Sequence, residues 1–177
     1  MTGTLKTEIR KAVKGDIKEI LKVIEEYRFR EDGSGYLLPV DEASLDAVVD
    51  NEGFFVACVN DEVAGCASVV EYDGTAELRS LAVKHEFKSY GIGSSLIEAC
   101  KTEAEKRGYN ELYALTQAYR PFEKSGFVRS ETPPQKMKKY CAKCPFQNNG
   151  CEKFAVVYRS GRLDANFWSI DRTQENF

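Results

Sequence analysis

The sequence predicts a mixed α/β domain whose sheet is antiparallel in its first half and gains one crossover helix later. Three observations predict this class. Two amphipathic helical patterns open the chain, three strand patterns joined by short turns follow, and a glycine loop then leads into a long helix. Strand, helix and strand patterns complete the order, and a final strand pattern closes it.

The first two helices are predicted from caps and from apolar spacing. Asp16 is a suitable N-cap, and Glu19 stands three residues later, where a capping box places its second member. The apolar residues at helical spacing are Ile17, Ile20, Leu21 and Ile24 in the first helix and Leu45, Val48 and Val49 in the second.

Turn residues divide the middle of the chain into strands. The runs 54–59, 63–70 and 76–83 are joined at Asn60-Asp61 and Asp73-Gly74, which predicts a three-stranded meander. After the glycine loop, a helical face runs from Leu96 to Ala104 and Gly108 is suited to its C-cap. The remaining patterns are a strand at 112–115, a short helix at 119–125, a strand that begins at Phe127 and a last strand at 154–158.

Length and composition predict one cytoplasmic domain. The chain has 177 residues, a net charge of −3 and 42% hydrophobic residues. No apolar run approaches the roughly 18 residues of a membrane helix, the first residues lack the apolar core of a signal peptide, and the acidic balance argues against nucleic-acid binding. We expect the domain to span 1–160, with a basic segment rich in Cys and Pro at 131–153, and a tail at 161–177.

The glycine loop after the third strand is typical of a phosphate site. Glycines at Gly91 and Gly93 allow close approach of backbone N–H groups, and the helix that follows adds its dipole. The loop lacks the third glycine of a dinucleotide fingerprint, because Leu96 stands there, and it lacks the Gly-Lys-Ser/Thr of a P-loop. A simple turn before a helix is the alternative interpretation.

This arrangement resembles the GNAT superfamily of acyl-CoA N-acyltransferases, from about Ile9 to Tyr158. The family signature is Gln/Arg-x-x-Gly-x-Gly/Ala, and Lys88 occupies its first position here. The resemblance implies a fold with two splayed central strands, acetyl-CoA as co-substrate, and pantetheine contacts from the backbone of Leu81, Ala82 and Val83. It also implies a coenzyme site formed by Lys88, Ser89, Tyr90, Gly91, Ile92, Gly93 and Ser94, together with Phe122 and Lys124.

A carboxylate in the third strand is the candidate general base. Strand periodicity places Glu77, Arg79, Leu81 and Val83 on one face. Charged residues in an apolar strand are costly unless they are paired or functional, so Glu77 is either half of a structural ion pair or a base that deprotonates an amine. The resemblance favours the base. The position of the family's tyrosine acid holds Phe122, so Tyr119, one turn earlier, is the candidate acid.

Within the superfamily, the chain resembles the short N-acetylglutamate synthases, which acetylate the α-amine of L-glutamate in arginine synthesis. The segments that carry this resemblance are 37–39, 76–83, 112–116, 122–127, 140–145 and 151–155. A dicarboxylate requires cations, and the candidates are Arg79, Lys136 and Lys138. Val40 stands where that branch usually has arginine, so two alternatives remain: another amine substrate, or a non-catalytic acyl-CoA-binding sensor. Relatives of this kind are often homodimers.

The six cysteines fall into two groups. Cys58, Cys66 and Cys100 lie in apolar strands or on a helix and are predicted to be buried thiols. Cys141, Cys144 and Cys151 form a Cys-x-x-Cys-x₆-Cys motif, which permits a zinc site with a remote fourth ligand, a redox or disulfide pair, or reduced packing thiols. The single histidine, His85, is predicted to be a solvated loop residue.

Overall fold

A computed structural model describes residues 6–30, 35, 37–144, 147 and 151–161. The predicted tail therefore lies outside the described residues, apart from Gly161. Within those ranges no helix is long and apolar enough to cross a membrane.

Seven strands and five α-helices make up the described chain. The strands are β1 (Thr7–Lys11), β2 (Phe54–Val59), β3 (Glu62–Tyr72), β4 (Thr75–Val83), β5 (Glu111–Thr116), β6 (Val128–Arg129) and β7 (Phe154–Arg159). The helices are α1 (Ile17–Glu25), α2 (Glu42–Asp50), α3 (Ile92–Lys106), α4 (Tyr119–Lys124) and α5 (Gln135–Ala142), with 3-10 turns at Lys14–Asp16 and His85–Phe87. The predicted elements are present, and β1 and α5 are additional. Neither was predicted, since β1 has only five residues and α5 lies in a basic segment that follows two prolines.

One mixed sheet forms the centre of the fold, in the order β1-β2-β3-β4-β5-β7-β6. Every neighbouring pair is antiparallel except β4 and β5, which are parallel and are connected through α3. Side chains of α3 pack on one face of the sheet, and side chains of α1 and α2 pack on the other. The predicted fold class, a mixed α/β sheet with one crossover helix, is confirmed.

The two central strands separate after three residue pairs. Parallel pairing joins Ala76 to Leu112, Glu77 to Tyr113 and Leu78 to Ala114, and no pair follows among the described residues although both strands continue. The predicted splay of the central strands is therefore present, and it opens a cleft between the second half of β4 and the end of β5.

A β-bulge interrupts β4 where the strands separate. Ser68 of β3 lies opposite Arg79, but Cys66 lies opposite Ala82, so two steps along β3 match three steps along β4. The extra residue is accommodated at Ser80, which has a φ of 54°. A left-handed conformation at a residue other than glycine is a local cost that the neighbouring pairs must stabilise.

The bulge corrects one prediction about the strand face. Leu81 and Val83 pack towards the cluster that contains α3, whereas Ala82 packs with α1 and α2. Because an extra residue reverses the alternation of side chains, Leu81 and Val83 do not share the face of Glu77 and Arg79, as a regular strand would require.

The start of α1 differs from the predicted capping box. The Asp16 carboxylate accepts hydrogen bonds from Arg10 Nη1 and Nη2, at 2.7 and 2.9 Å, and from the Val13 N–H at 2.8 Å. It makes no capping bond to α1. The carboxylate instead ties the 3-10 turn to β1, because a neighbouring guanidinium is a stronger donor than the amides of the helix.

Candidate active site

The splay creates an open cleft with a volume of about 520 Å³. Its walls come from the segment 37–40, the second half of β4, the first turn of α3, the end of β5 and the start of α4, with single residues from α5 and from the approach to β7. The charged side chains that line it, within the described part of the chain, are Glu77, Arg79, Lys88 and Lys153. Three cations and one carboxylate favour anionic occupants.

Glu77 lies at the point where the cleft begins, and its side chain is 5% exposed. Arg79 Nε donates to Glu77 Oε2 at 2.7 Å, and Arg79 Nη2 lies 2.7 Å from the same oxygen. The Arg79 side chain is 33% exposed, and its guanidinium carbon lies 5.1 Å from the centre of the Tyr140 ring. The structure therefore brings the two predicted residues together as an ion pair within the cleft, so that the structural and catalytic interpretations concern the same contact.

Two side chains of β3 hold the carbonyl groups of the bulge. Ser68 Oγ donates to the Arg79 carbonyl at 3.2 Å, and Cys66 Sγ donates to the Ser80 carbonyl at 3.4 Å. On the opposite edge of β4, the residues after Leu78 no longer pair with β5. Because the backbone groups of a strand alternate between its two neighbours, part of the segment 81–83 directs its amides into the cleft.

Tyr27, which sequence reasoning missed, fixes the end of β4. Its hydroxyl donates to the Val83 carbonyl at 2.5 Å, and the ring lines the cleft. Lys88 Nζ lies 5.4 Å from the centre of the same ring. His85 is 58% exposed, as expected, but its Nδ1 also lies 3.5 Å from the Tyr27 hydroxyl. A tyrosine near the end of a helix carries no sequence signal for this role, because only the packing of α1 against β4 brings the two together.

The glycine loop opens α3 at one end of the cleft. Gly91 is the N-cap of α3 and has a φ of 77°, so the backbone itself requires glycine there. Gly93 is helical and lines the cleft, and a Cβ at Gly93 would meet only Val83 Cγ2, at 3.8 Å. The fold therefore permits a side chain at Gly93, and the absence of one leaves the backbone open to the cleft.

The other residues predicted to bind the coenzyme differ in their exposure and in whether they line the cleft. Ser89 and Tyr90 are exposed, Ser94 is half-buried, and the Ile92 side chain lies in the core, which leaves its backbone for binding. Phe122 is buried and lines the cleft. Lys124 is exposed on α4, outside the cleft lining.

Tyr119 faces away from the cleft. Its hydroxyl lies 3.5 Å from the Phe127 carbonyl, its ring packs edge-on against Phe154 at 5.9 Å, and it does not line the cleft. This geometry favours a packing role over the predicted role as an acid.

The predicted substrate cations are separated by the fold. Arg79 lines the cleft, but Lys136 forms an ion pair with Asp73 at 2.9 Å and Lys138 is exposed on α5; neither lysine lines the cleft. Lys153 lines the cleft instead. It precedes β7, whose first residue Phe154 pairs with Thr116 at the end of β5. The sequence alone could not place Lys153 in the cleft, since the strand that β7 joins cannot be read from its own pattern.

The cysteines divide as the sequence predicts. Burial raises the pKa of the Cys66 thiol to about 12 and raises that of Cys100 further, so both behave as inert core side chains. Cys141, Cys144 and Cys151 are half-buried free thiols, and burial together with the two neighbouring thiols raises the pKa of Cys141. Within the described residues, no group of three or more His, Cys, Asp or Glu side chains is placed to hold a metal ion.

Comparison with known proteins agrees with this geometry. The sequence model of the acetyltransferase (GNAT) family matches residues 17–127, which is more than half of the chain. The "Uncharacterized N-acetyltransferase CT2212" of Chlorobaculum tepidum is 32% identical over 155 residues, covering 85% of this chain and 95% of that protein.

Solved structures share the fold. Rv2747 from Mycobacterium tuberculosis, in complex with CoA, has a TM-score of 0.72 and 19% identity, over 86% of this chain and 99% of that one. N-acetylglutamate synthase from Neisseria gonorrhoeae, complexed with coenzyme A and N-acetyl-glutamate, has a TM-score of 0.70 and 24% identity, over 89% of this chain but 36% of that one. The splayed sheet and the relatives lead to one conclusion: the chain belongs to the acetyltransferase (GNAT) family, and its activity is the acetyl-CoA-dependent acetylation of an amine.

Proposed function

We propose that this enzyme transfers the acetyl group of acetyl-CoA to the α-amine of L-glutamate, a reaction of arginine biosynthesis, by direct attack in a ternary complex. The observation that carries the proposal is the position of Glu77, a carboxylate 5% exposed at the point where β4 and β5 separate. The cationic lining of the cleft favours an anionic acceptor. The choice of L-glutamate comes from the resemblance to the N-acetylglutamate synthases.

Glu77 is the general base of the proposed reaction. The acceptor arrives as an ammonium ion, and a proton moves from its nitrogen to the Glu77 carboxylate, directly or through water. The nitrogen then forms a bond to the thioester carbon, and the carbon–sulfur bond breaks. The sulfur leaves as a thiolate and takes up the second proton, which the acylated nitrogen loses as it becomes a neutral amide. A thiol pKa near 8.5 makes this leaving group acceptable without a strong acid, so the orientation of Tyr119 is no obstacle.

The backbone of β4 and the glycine loop bind the coenzyme. Amides in the segment 81–83 hydrogen-bond the pantetheine arm and stabilise the developing oxyanion. The segment 88–94 holds the pyrophosphate with its amides, and the dipole of the 15-residue helix α3 adds a favourable field. The Tyr27 hydroxyl keeps Val83 in place at the junction of these two sites.

Arg79 and Lys153 bind the carboxylates of the acceptor. Both line the cleft, whereas Val40, which stands where the related branch has arginine, contributes an apolar wall. The two cations supply the charge that Val40 does not.

A non-catalytic acyl-CoA-binding sensor is the second candidate function. Two observations favour it: Arg79 occupies the Glu77 carboxylate, and the Tyr119 hydroxyl is directed away from the cleft. Such a protein would bind acetyl-CoA without turning it over.

Activity with a panel of amines separates the candidates. The protein is incubated with acetyl-CoA and L-glutamate, and with other amino acids in parallel, and products are identified by mass. We expect N-acetylglutamate. Acetylation of a different amine would retain the chemistry and replace the acceptor, whereas acetyl-CoA binding with no product from any amine would support the sensor.

Glu77→Gln tests the base. We expect kcat to fall by about 10²–10⁴-fold while the Kd for acetyl-CoA, measured by calorimetry, stays unchanged, because the amide keeps the shape but cannot take the proton. Glu111→Gln is the matched control, since Glu111 also pairs with an arginine across 2.8 Å but lies outside the cleft. An active Glu77→Gln variant would rule out this carboxylate as the base.

A further inference from the structure

The Glu77–Arg79 ion pair points to a mechanism of substrate selection at the proposed site. We propose that the pair is a switch operated by the acceptor: a carboxylate on the acceptor draws the Arg79 guanidinium away, and Glu77 is then available as the base. The inference rests on the proposed function and deepens it, because it assigns the class of acceptor, amines that carry a carboxylate, to one contact.

The geometry of the pair blocks one side of the base. Both Arg79 Nε and Arg79 Nη2 approach the same oxygen, Glu77 Oε2, at 2.7 Å. Nε donates to this oxygen and Nη2 lies against it, so the guanidinium covers Oε2, which offers two lone-pair positions. A water molecule or an ammonium group that is to deliver its proton to this oxygen must first displace one of the guanidinium N–H groups.

The backbone holds Glu77 in place but leaves the side chain of Arg79 room to move. Glu77 is paired on both sides, with Val70 of β3 and with Tyr113 of β5. Arg79 lies one residue beyond Leu78, the last position of β4 that pairs with β5, and directly before the bulge at Ser80. The ion pair therefore spans the point at which the two strands separate, with a fixed carboxylate and a guanidinium on the open side.

The surroundings of Arg79 favour an exchange of partners. Its side chain is 33% exposed, against 5% for Glu77. The guanidinium lies over the ring of Tyr140, which is itself half-exposed and lines the cleft. A rotation of the Arg79 side chain within the cleft can keep this aromatic contact while its N–H groups turn from Glu77 to a ligand.

Charge balance restricts the exchange to acceptors with a carboxylate. A guanidinium that moves from one carboxylate to another keeps a charge-assisted partner, so the exchange costs little. An amine without a carboxylate offers no such partner, and Arg79 then stays paired with Glu77. After the exchange, the acceptor ammonium gives its proton to Glu77, which becomes neutral and no longer requires its cation, while Lys153 remains as a second positive group in the cleft.

The test compares Arg79→Met with the wild type on two acceptors that share one carbon skeleton, L-glutamate and its diamide, which has no carboxylate. We expect kcat/KM for L-glutamate to fall by about tenfold or more in the variant, because the acceptor loses its cation. We expect kcat for the diamide to rise by about threefold or more, because the Arg79 guanidinium no longer covers Glu77 Oε2. Each acceptor is compared with itself, so the different basicities of the two amines cancel.

Arg159→Met is the matched control. Arg159 Nε donates to Glu111 at 2.8 Å, a similar arginine–glutamate contact that here joins β7 to β5, but this pair is exposed and does not line the cleft. We expect both activities to stay within about twofold of wild type. Arg79→Lys should give intermediate values, because lysine keeps the charge and loses the bidentate geometry.

Opposite changes for the two acceptors support the switch. An equal fall for both would mean that Arg79 only holds the site together, and an unchanged rate for the diamide would show that the pair does not restrain the base; either result overturns the proposal. Should Arg79→Met fail to fold, the wild type decides the question: added propionate must raise turnover of the diamide, and the absence of any rise overturns the switch. Absence of product from every amine in the wild type would be a different result, because it refutes the proposed acetyltransferase reaction itself.

Discussion

At the scale of single residues, the two loop glycines carry different constraints. Gly91 has a φ of 77°, which a side chain can adopt only with strain. Gly93 is helical, and a Cβ there would make one ordinary contact with Val83. Only the first glycine is therefore required by the fold, and for the second we propose that a ligand lies against the backbone. Substitution at the two positions should separate folding from binding.

Gly93→Ala should weaken acetyl-CoA binding without loss of stability. We expect the Kd for acetyl-CoA to rise by about tenfold, because the added methyl group separates the pyrophosphate from the amides. The free energy of unfolding should stay equal or rise by up to about 0.5 kcal/mol. Calorimetric titration and urea denaturation measure the two quantities. Gly91→Ala should instead lose about 1–2 kcal/mol of stability. Equal acetyl-CoA affinity in Gly93→Ala and wild type would remove this loop from the coenzyme site.

At the scale of elements, an ion pair fastens the first strand to the first helix. The Arg10 guanidinium holds the pKa of Asp16 below its usual range, and the Val13 N–H adds to the effect although burial opposes it. Since the folded-state pKa of Asp16 is lowered, its contribution to stability is fully present above the unfolded pKa, about 3.9, and is lost as the pH falls through the folded value. β1 and the 3-10 turn before α1 are thus held together by a charge at neutral pH.

Asp16→Asn should destabilise the protein at neutral pH and much less in acid. We expect the free energy of unfolding to drop by about 1–3 kcal/mol at pH 7, because a charged acceptor of three hydrogen bonds is lost. The difference from wild type should shrink below pH about 4, where the carboxylate of the unfolded chain is protonated. Urea denaturation at several pH values measures this.

Asp46→Asn is the control for that experiment. Asp46 pairs with Lys14 at 3.3 Å, and its side chain is 42% exposed, so its loss should change stability by less than about 0.5 kcal/mol. A difference for Asp16→Asn that persists unchanged into acid would contradict the assigned ion pair.

At the scale of the whole molecule, the sheet separates two populations of thiols. Cys58, Cys66 and Cys100 lie in the cores on its two faces. Cys141, Cys144 and Cys151 lie on or beside α5, half-buried and free. Because a thiol reacts as its accessible thiolate, the fold itself predicts which cysteines react in the native protein.

Titration with a thiol reagent should therefore show two steps. We expect three thiols to react in the folded protein and three more after unfolding in guanidinium chloride. Cys141 should be the slowest of the first three at pH 7 and should accelerate as the pH rises, since its pKa is raised. A native count of one would indicate a disulfide within the exposed group, and a count that rises after chelation would indicate a bound metal.

The sequence predicted the fold class because its signals are local. Caps, turn residues and apolar spacing define α1–α4, and Asp73-Gly74 joins β3 to β4 as predicted. The glycine loop gave the family, which the comparison confirms. Glutamate as acceptor stays a prediction, as do the roles of the individual site residues.

Four residues show where local signals were insufficient. The capping box at Asp16 was wrong, because its carboxylate takes Arg10 from another element. Lys136 and Lys138 looked suitable by charge, but the orientation of α5 places them outside the cleft, and Lys153 enters it through the pairing of β7 with β5.

By itself, the sequence determined the order of β2–β5 and α1–α4, the glycine loop before α3 and the carboxylate within an apolar strand, because each depends on residues that are neighbours in the chain. Only the tertiary structure decided how these parts meet. The separation of β4 from β5, the bulge at Ser80 and the Tyr27 hydroxyl on Val83 depend on contacts between distant segments. The ion pair joins residues two positions apart in the chain, yet only the separation of the strands places it in an open cleft.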